Sequence, residues 1–159
     1  MTDRSVRERA AEAGERLAPE GACVFCDIRD GRLPAFTVLE DERCLAFLDR
    51  RPVFPGHVLL IPKAHHVTLM DLPPDLLAPL FTHAQRLARA VERGLGADGS
   101  FVAMNNRVSQ SVAHLHVHVV PRRFRDGLRG FFWPRGHYES AEAARAIQQA
   151  LRGVLDAAD

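Results

Sequence analysis

Three histidines stand at alternate positions in the run His114-Leu115-His116-Val117-His118-Val119-Val120. Strict alternation of polar and apolar residues is the pattern of a half-buried β-strand, on which successive side chains point to opposite faces. The three imidazoles therefore share one face, about 6.6–7 Å from one to the next. Leu115, Val117 and Val119 share the other face and enter the core. A neutral imidazole can attack phosphorus and form a covalent intermediate, provided that a partner orients its second ring nitrogen. A neighbouring ring on the same face can hold a phosphate oxygen. Two other readings of the bare pattern stand beside this one: solvent-facing histidines, or a three-histidine metal site. The second fits poorly, because rings from one straight strand do not converge easily on a tetrahedral ion with bonds of about 2.0–2.1 Å.

The residues before this strand, Asn105-Asn106-Arg107-Val108-Ser109-Gln110-Ser111-Val112, form a polar loop. Amides, hydroxyls and backbone N–H groups can hold a phosphoryl group without adding full charge, although Asn and Ser favour plain turns as well. Cys23 and Cys26 make a CxxC pair. Alone it supplies two ligands of a zinc knuckle, a redox pair, or two buried thiols. Cys44 reads as a small buried hydrophobe. Of the other histidines, His57 is expected to be structural, His66 and His83 to lie near solvent, and His137 has no assigned role.

These residues need a scaffold. Cys23 to Ile28 reads as a turn entering a short helix, ended by Gly31 and Pro34. Residues 36–40 and 44–49 are β-rich and separated by Asp41-Glu42-Arg43, a hairpin spacing. A loop at Pro52–Gly56 leads to an apolar strand at 57–62. The main helix spans 73–94, with Leu76, Leu77, Leu80, Phe81, Ala84, Leu87, Ala88 and Val91 as its stripe. Pro79 implies a later start or a kink, and Gly94 and Gly96 the stop. Strands follow at 100–105 and 114–122. A final helix at 140–155 turns Ala143, Ala146, Ile147, Ala150, Leu151 and Val154 inward. This order is not a regular βαβ alternation and predicts an α+β fold with an antiparallel sheet.

The chain has 159 residues, 47% of them hydrophobic and 26% charged, which suits a single domain with an ordinary core. Residues 1–20 read as a polar N-terminal extension, helical or disordered, and 21–159 as one domain whose C-terminal tail and helix start at about 123. A net charge of +1 argues against a nucleic-acid coat or a polybasic membrane surface. No apolar run approaches the roughly 20 residues that span a bilayer, and residues 1–20 lack the apolar stretch of a signal peptide. Three cysteines make a disulfide scaffold improbable and a reducing, cytoplasmic setting natural.

The stretch from Ser111 to Arg122 resembles the signature of the histidine triad (HIT) superfamily of nucleotide hydrolases and transferases. The likeness extends through Cys23–Cys26, Leu45-Ala46-Phe47-Leu48-Asp49 and Gly56–His65, in the order the family has them, and covers about residues 22–135. It implies a HIT-like fold: a five-stranded antiparallel sheet with one long helix and a C-terminal helix. His116 would be the nucleophile that takes up a nucleotidyl group, and His118 would hydrogen-bond the phosphate. Ser111 and Gln110 would meet phosphate or leaving group, and Asn105 or Asn106 the phosphate. Asp49 would hold the ribose, while Phe25, Ile28, Phe47 and Leu48 would flank a purine. Ordinary core packing is the competing reading for these apolar residues. In family members with this CxxC, a structural zinc is held by the equivalents of Cys23, Cys26, His65 and His114.

Family dimers also bring C-terminal segments near the partner's site, so Trp133 and Arg135 would tune leaving-group choice, against a plain reading of Gly130–Arg135 as tail packing. One departure stands out. Ser109 occupies a position where the family usually has glycine, in a shortened loop. It adds a hydroxyl there, or loses a positive φ that glycine would permit.

The resulting expectation is a homodimeric, zinc-containing enzyme acting at the α-phosphorus of a purine nucleotide conjugate, closest to a nucleoside phosphoramidase. A dinucleoside polyphosphate hydrolase or phosphorylase is the alternative chemistry. A non-catalytic nucleotide-binding or protein-interaction module is the alternative class.

Overall fold

The computed structural model describes residues 23–128 and 138–156. The expected extension at 1–20, Trp133, Arg135 and His137 lie outside them. The chain divides into two compact units after Phe124.

In the first unit, a short helix α1 (Val24–Arg29) precedes strands β1 (Thr37–Glu40), β2 (Cys44–Leu48) and β3 (Val58–Pro62). Helix α2 (Pro74–Leu95) follows, then β4 (Gly99–Ala103) and β5 (Val117–Arg122). The five strands form one sheet in the order β1-β2-β3-β5-β4, every neighbour antiparallel. The α+β architecture and the antiparallel sheet are as the sequence predicts.

Local chemistry explains the elements. The β1–β2 turn is closed by Asp41, whose Oδ1 accepts the backbone N–H groups of Arg43 (2.8 Å) and Cys44 (2.7 Å), the side-chain turn that aspartate favours. β3 is buried along its whole length, as a central strand covered on both faces must be. The α2 helix opens with Pro74, whose missing N–H costs nothing in a first turn, and closes on Gly96 at φ 59°, the left-handed cap that glycine supplies.

Pro79 neither delays α2 nor ends it. The Asp75 carbonyl, which a residue with an N–H at position 79 would have bonded, accepts instead from the Arg43 guanidinium (3.2 Å). Leu80, Ala84, Leu87 and Val91 of the stripe are buried, whereas Leu77 and Phe81 are exposed. Gly56, at φ 96°, lies against α2, and a Cβ built there would sit 2.2 Å from Leu95 Cδ1.

The sheet has two apolar faces. Ala46, Val58, Leu60, Val117 and Val119 pack with Leu115 against α2. Leu45, Phe47, Leu59 and Ile61 pack on the other face against Phe25 of α1. The histidine strand is shorter than its alternation suggests. β5 begins at Val117, so His114, Leu115 and His116 precede the ladder. The alternation still holds where it matters: Leu115, Val117 and Val119 are fully buried.

In the second unit, helix α3 (Ala141–Asp156) is started by Ser140, whose Oγ accepts the Ala143 N–H (3.1 Å). The inward face expected for it is not buried: Ala146, Ile147, Ala150 and Leu151 are exposed, and the Val154 side chain lies outside the described residues. The 3.6-residue apolar period fixed a helix without fixing what covers it. Among the described residues no helix is long and apolar enough to cross a membrane.

Candidate active site and metal centre

The sheet face turned away from α2 carries the candidate site. His118 pairs with Leu59 on β3 and Ala103 on β4, which sets its ring beside the Phe47–Leu59–Ile61 face. The His116 and His118 rings meet edge to face, centroids 4.8 Å apart. Phe25 stands edge-on to His116 (5.2 Å) and to Phe47 (5.5 Å). His116 is 3% exposed, and His118 is half-buried.

Each ring is fixed by a neighbour, and because a neutral imidazole has one donor and one acceptor nitrogen, the neighbours assign the protons. His116 Nδ1 lies 2.7 Å from the His114 carbonyl. A carbonyl only accepts, so the proton sits on Nδ1 and Nε2 keeps a lone pair. By the same logic His114 donates Nε2–H to the Pro62 carbonyl (2.8 Å) and keeps its lone pair on Nδ1. Burial favours the neutral form of His116 and His118. It pushes His116 below the ordinary histidine range, against the opposing pull of the His114 carbonyl and the Asp49 charge. It takes His118 down to about 4, helped by the neighbouring His116 and His57.

The lone pair on His114 Nδ1 faces sulfur. Cys23 Sγ is 3.4 Å from it and Cys26 Sγ 3.6 Å, while Cys26 Sγ is 3.3 Å from His65 Nδ1. All four ligand atoms lie within 4.8 Å of one another. A tetrahedral zinc with Zn–S of about 2.3 Å and Zn–N of about 2.0–2.1 Å places sulfur and nitrogen roughly 3.6 Å apart. The donor set and its edges fit zinc, and the His114–Pro62 bond is the outer-sphere contact that a ligating imidazole usually makes. Cys23 and Cys26 stand as free thiols against the two imidazoles. Cys44 is the buried third cysteine, as expected.

The loop residues serve first as framework. Gln110 spends both ends of its amide on backbone, accepting from Arg107 N–H (2.7 Å) and donating to the Val67 carbonyl (2.6 Å). Asn106 Oδ1 accepts the Leu69 N–H (2.8 Å), and Asn105 donates to the Ser109 carbonyl (3.1 Å). Ser109 keeps the positive φ, 58°, without being glycine. Ser111 is exposed where the chain turns toward His114. Asp49 accepts the Arg51 N–H (2.8 Å) on Oδ1 and lies 3.5 Å from His57 Nδ1 through Oδ2.

The structure brings His116, His118, Phe25 and Phe47 together, with Ile28 packed on the same apolar cluster. It does not bring Leu48 there. Adjacent to Phe47 on β2, Leu48 points to the opposite face and packs on the α2 side, as strand geometry requires.

His57, expected to be structural, is buried, with Nε2 3.0 Å from His118 Nδ1. Two other histidines differ from their sequence expectation. His83, expected near solvent, is buried, with Nε2 2.6 Å from Asp41 Oδ2 and Nδ1 3.2 Å from the Arg86 guanidinium. A flanking position on a helical stripe looks exposed until a hairpin supplies its partner. His66 is half-buried, and its carbonyl accepts the Leu115 N–H (2.6 Å). Asp41, Cys44 and His83 also cluster, but the Arg86 donor on Nδ1 leaves the proton on Nε2, so His83 meets Asp41 as a neutral ring donating a hydrogen bond to the carboxylate. The hint for His57 was positional: it stands nine residues before His66 in a block already tied to the site by resemblance.

Residues 30–125 of the chain match the HIT domain. The chain belongs to the HIT domain family. It is 37% identical over 108 residues to an adenylylsulfatase of Arabidopsis thaliana, covering 67% of this chain and 55% of that protein. It is 38% identical over 106 residues to an adenosine 5'-monophosphoramidase of Saccharomyces cerevisiae, covering 65% of each. Among solved structures it resembles a zinc-bound histidine triad family protein from Mycobacterium smegmatis, with 42% identity, a TM-score of 0.63, and coverage of 87% and 98% of the two chains.

Proposed function

We propose that this protein hydrolyses or transfers nucleoside monophosphate from a purine nucleotide conjugate, most naturally a phosphoramidate, through a nucleotidyl group carried on His116. The observation that carries this reading is the orientation of the His116 ring. The His114 carbonyl leaves the His116 Nε2 lone pair as the nucleophile, oriented as such a step requires. Phosphoramidase and adenylylsulfatase relatives support a substrate with adenylate joined to a good leaving group.

In the first step Nε2 forms a bond to the α-phosphorus as the bond to the leaving group breaks. The departing amine takes the bonding pair and a proton from solvent. Water then attacks the same phosphorus in line, returns a proton to solvent, breaks the P–N bond to His116, and restores the lone pair. His118 holds the non-bridging oxygens. Asp49 holds the ribose hydroxyls, and the edges of Phe25, Ile28 and Phe47 flank the base. Ser111 meets the leaving group, and the loop 105–110 shapes the phosphate site through Asn105, Asn106 and Ser109, with Gln110 bracing its backbone.

Cys23, Cys26, His65 and His114 would hold zinc as a closed structural centre, which ties α1 to the residues entering β5. Exposed Leu77 and Phe81 on α2, with Val102 on the edge strand β4, are consistent with burial against a second copy, and free thiols with a reducing cytoplasm.

The decisive experiment offers the protein adenosine 5'-phosphoramidate, adenylyl sulfate and a diadenosine polyphosphate, quenches early, and maps any adduct by mass spectrometry. An adenylyl group on His116, absent in His116→Ala together with all turnover, is expected. Turnover surviving in that variant, or an adduct on another residue, overturns the mechanism. The relative rates choose among the substrates.

A further inference from the structure

We infer that His57 is a positioning residue that fixes the tautomer of His118, and that the Val53 backbone N–H locks His57 in turn. The inference rests on the reading of His116 and His118 as the reacting pair. It follows from a chain of donors. The Val53 N–H lies 3.2 Å from His57 Nδ1. A backbone amide can only donate, so Nδ1 accepts and the His57 proton sits on Nε2. That Nε2 is 3.0 Å from His118 Nδ1. His118 Nδ1 must therefore accept, which leaves the His118 proton on its own Nε2.

A competing arrangement is available on paper. Asp49 Oδ2 is 3.5 Å from His57 Nδ1 and would favour a proton there. That separation lies beyond the usual N–H···O range of about 2.7–3.2 Å, and a proton on Nδ1 would collide with the Val53 N–H. The charged and titratable groups acting on His57 are Asp49, His116 and His118. Burial outweighs the pull of Asp49 and keeps the ring neutral, with one proton to place.

The consequence is an opposed pair. His116 offers a lone pair on Nε2, and His118 offers an N–H on Nε2. With the other tautomer, His118 would turn a second lone pair toward phosphate oxygens and lose its only donor in the site. His57 holds this polarity without passing a proton, because its far nitrogen is already occupied by an amide that cannot accept one. It is a positioning residue and does not touch substrate.

The test reads the resting protein first, by long-range 1H–15N correlation spectra of the imidazole rings. His57 and His118 should both carry their proton on Nε2. A proton on Nδ1 of either ring overturns the inference, whatever the activity. Two variants follow. His57→Phe keeps a ring but has no donor; it should lose about 10- to 100-fold in kcat on adenosine 5'-phosphoramidate, with KM changing less than about threefold. Its His118 should no longer favour Nε2–H. His57→Gln carries an amide N–H in place of Nε2–H and should recover most of kcat and the His118 tautomer. Equal losses in the two variants at equal thermal stability, or an unchanged His118 tautomer in His57→Phe, overturn the role. If His57→Phe does not fold, the wild-type spectra and His57→Gln still decide. Failure of the wider reading looks different: turnover would then survive His116→Ala while the tautomers stood as stated.

Discussion

Ser109 holds φ 58° and Arg107 φ 71° within one short loop. A side-chain residue in the left-handed region costs roughly 1–2 kcal/mol, so something must hold it there. The amides do: Asn105 grips the Ser109 carbonyl, and Gln110 bridges the Arg107 N–H to the Val67 carbonyl. The loop is thus rigid before substrate arrives, at the expense of local strain. Replacing Ser109 by glycine should relieve part of it. We expect Ser109→Gly to gain about 1 kcal/mol, less a few tenths for the freer unfolded chain. Urea denaturation should show this as a higher midpoint with unchanged slope. A lower midpoint would mean that the serine hydroxyl contributes more than its backbone costs. The sequence flagged this position, since a serine stood where glycine was expected, but only φ shows that the backbone kept its shape.

Elements are joined by polar contacts that periodicity does not reveal. The β1–β2 turn is tied to α2 twice, by Asp41 to His83 (2.6 Å) and by Arg43 to the Asp75 carbonyl freed by Pro79. Burial raises the Asp41 carboxyl, but the bonds from Cys44 N–H, the His83 ring and Arg43 N–H outweigh it and hold the group at about 2, below its ordinary 3.8. A depressed carboxylate stabilises the fold above its unfolded pKa and loses that contribution as pH falls through the folded one. The contribution of Asp41 is therefore full above about pH 4 and gone near pH 2. The side chain is 42% exposed, and water screens it to about 1 kcal/mol. Asp41→Asn should be less stable than wild type by that amount at pH 6, with the gap closing toward pH 2 in parallel denaturation series. A gap independent of pH would remove the linkage.

At the scale of the whole molecule, the Cys2His2 cluster joins three stretches far apart in sequence: α1, the chain after β3, and the entry to β5. One of its members, His114, also presents the carbonyl that orients His116. With zinc bound, a ligand occupied a thousandfold above its Kd stabilises the native state by about 4 kcal/mol. Protein purified without chelator should carry about one zinc per chain by elemental analysis. Stripping it should lower Tm, and added zinc should restore it. Cys26→Ser should neither bind zinc nor respond. An identical Tm for loaded and stripped protein would show that the centre does not hold the fold together.

Much of this was written in the chain itself. Alternation over His114–Val120, the Asp41–Arg43 turn and the helical stripe before Gly96 each follow from rules acting within a few residues. The histidine and cysteine motifs followed from type and spacing. Tertiary packing decided the rest, because it depends on partners distant in sequence: that Leu48 turns from the site while Phe47 faces it, that His83 is buried by a hairpin some forty residues earlier, and that Val53 and His57 determine where His118 carries its proton. A hydrogen's place on a ring is set by whichever donor or acceptor the fold brings against it, and no local rule names that neighbour.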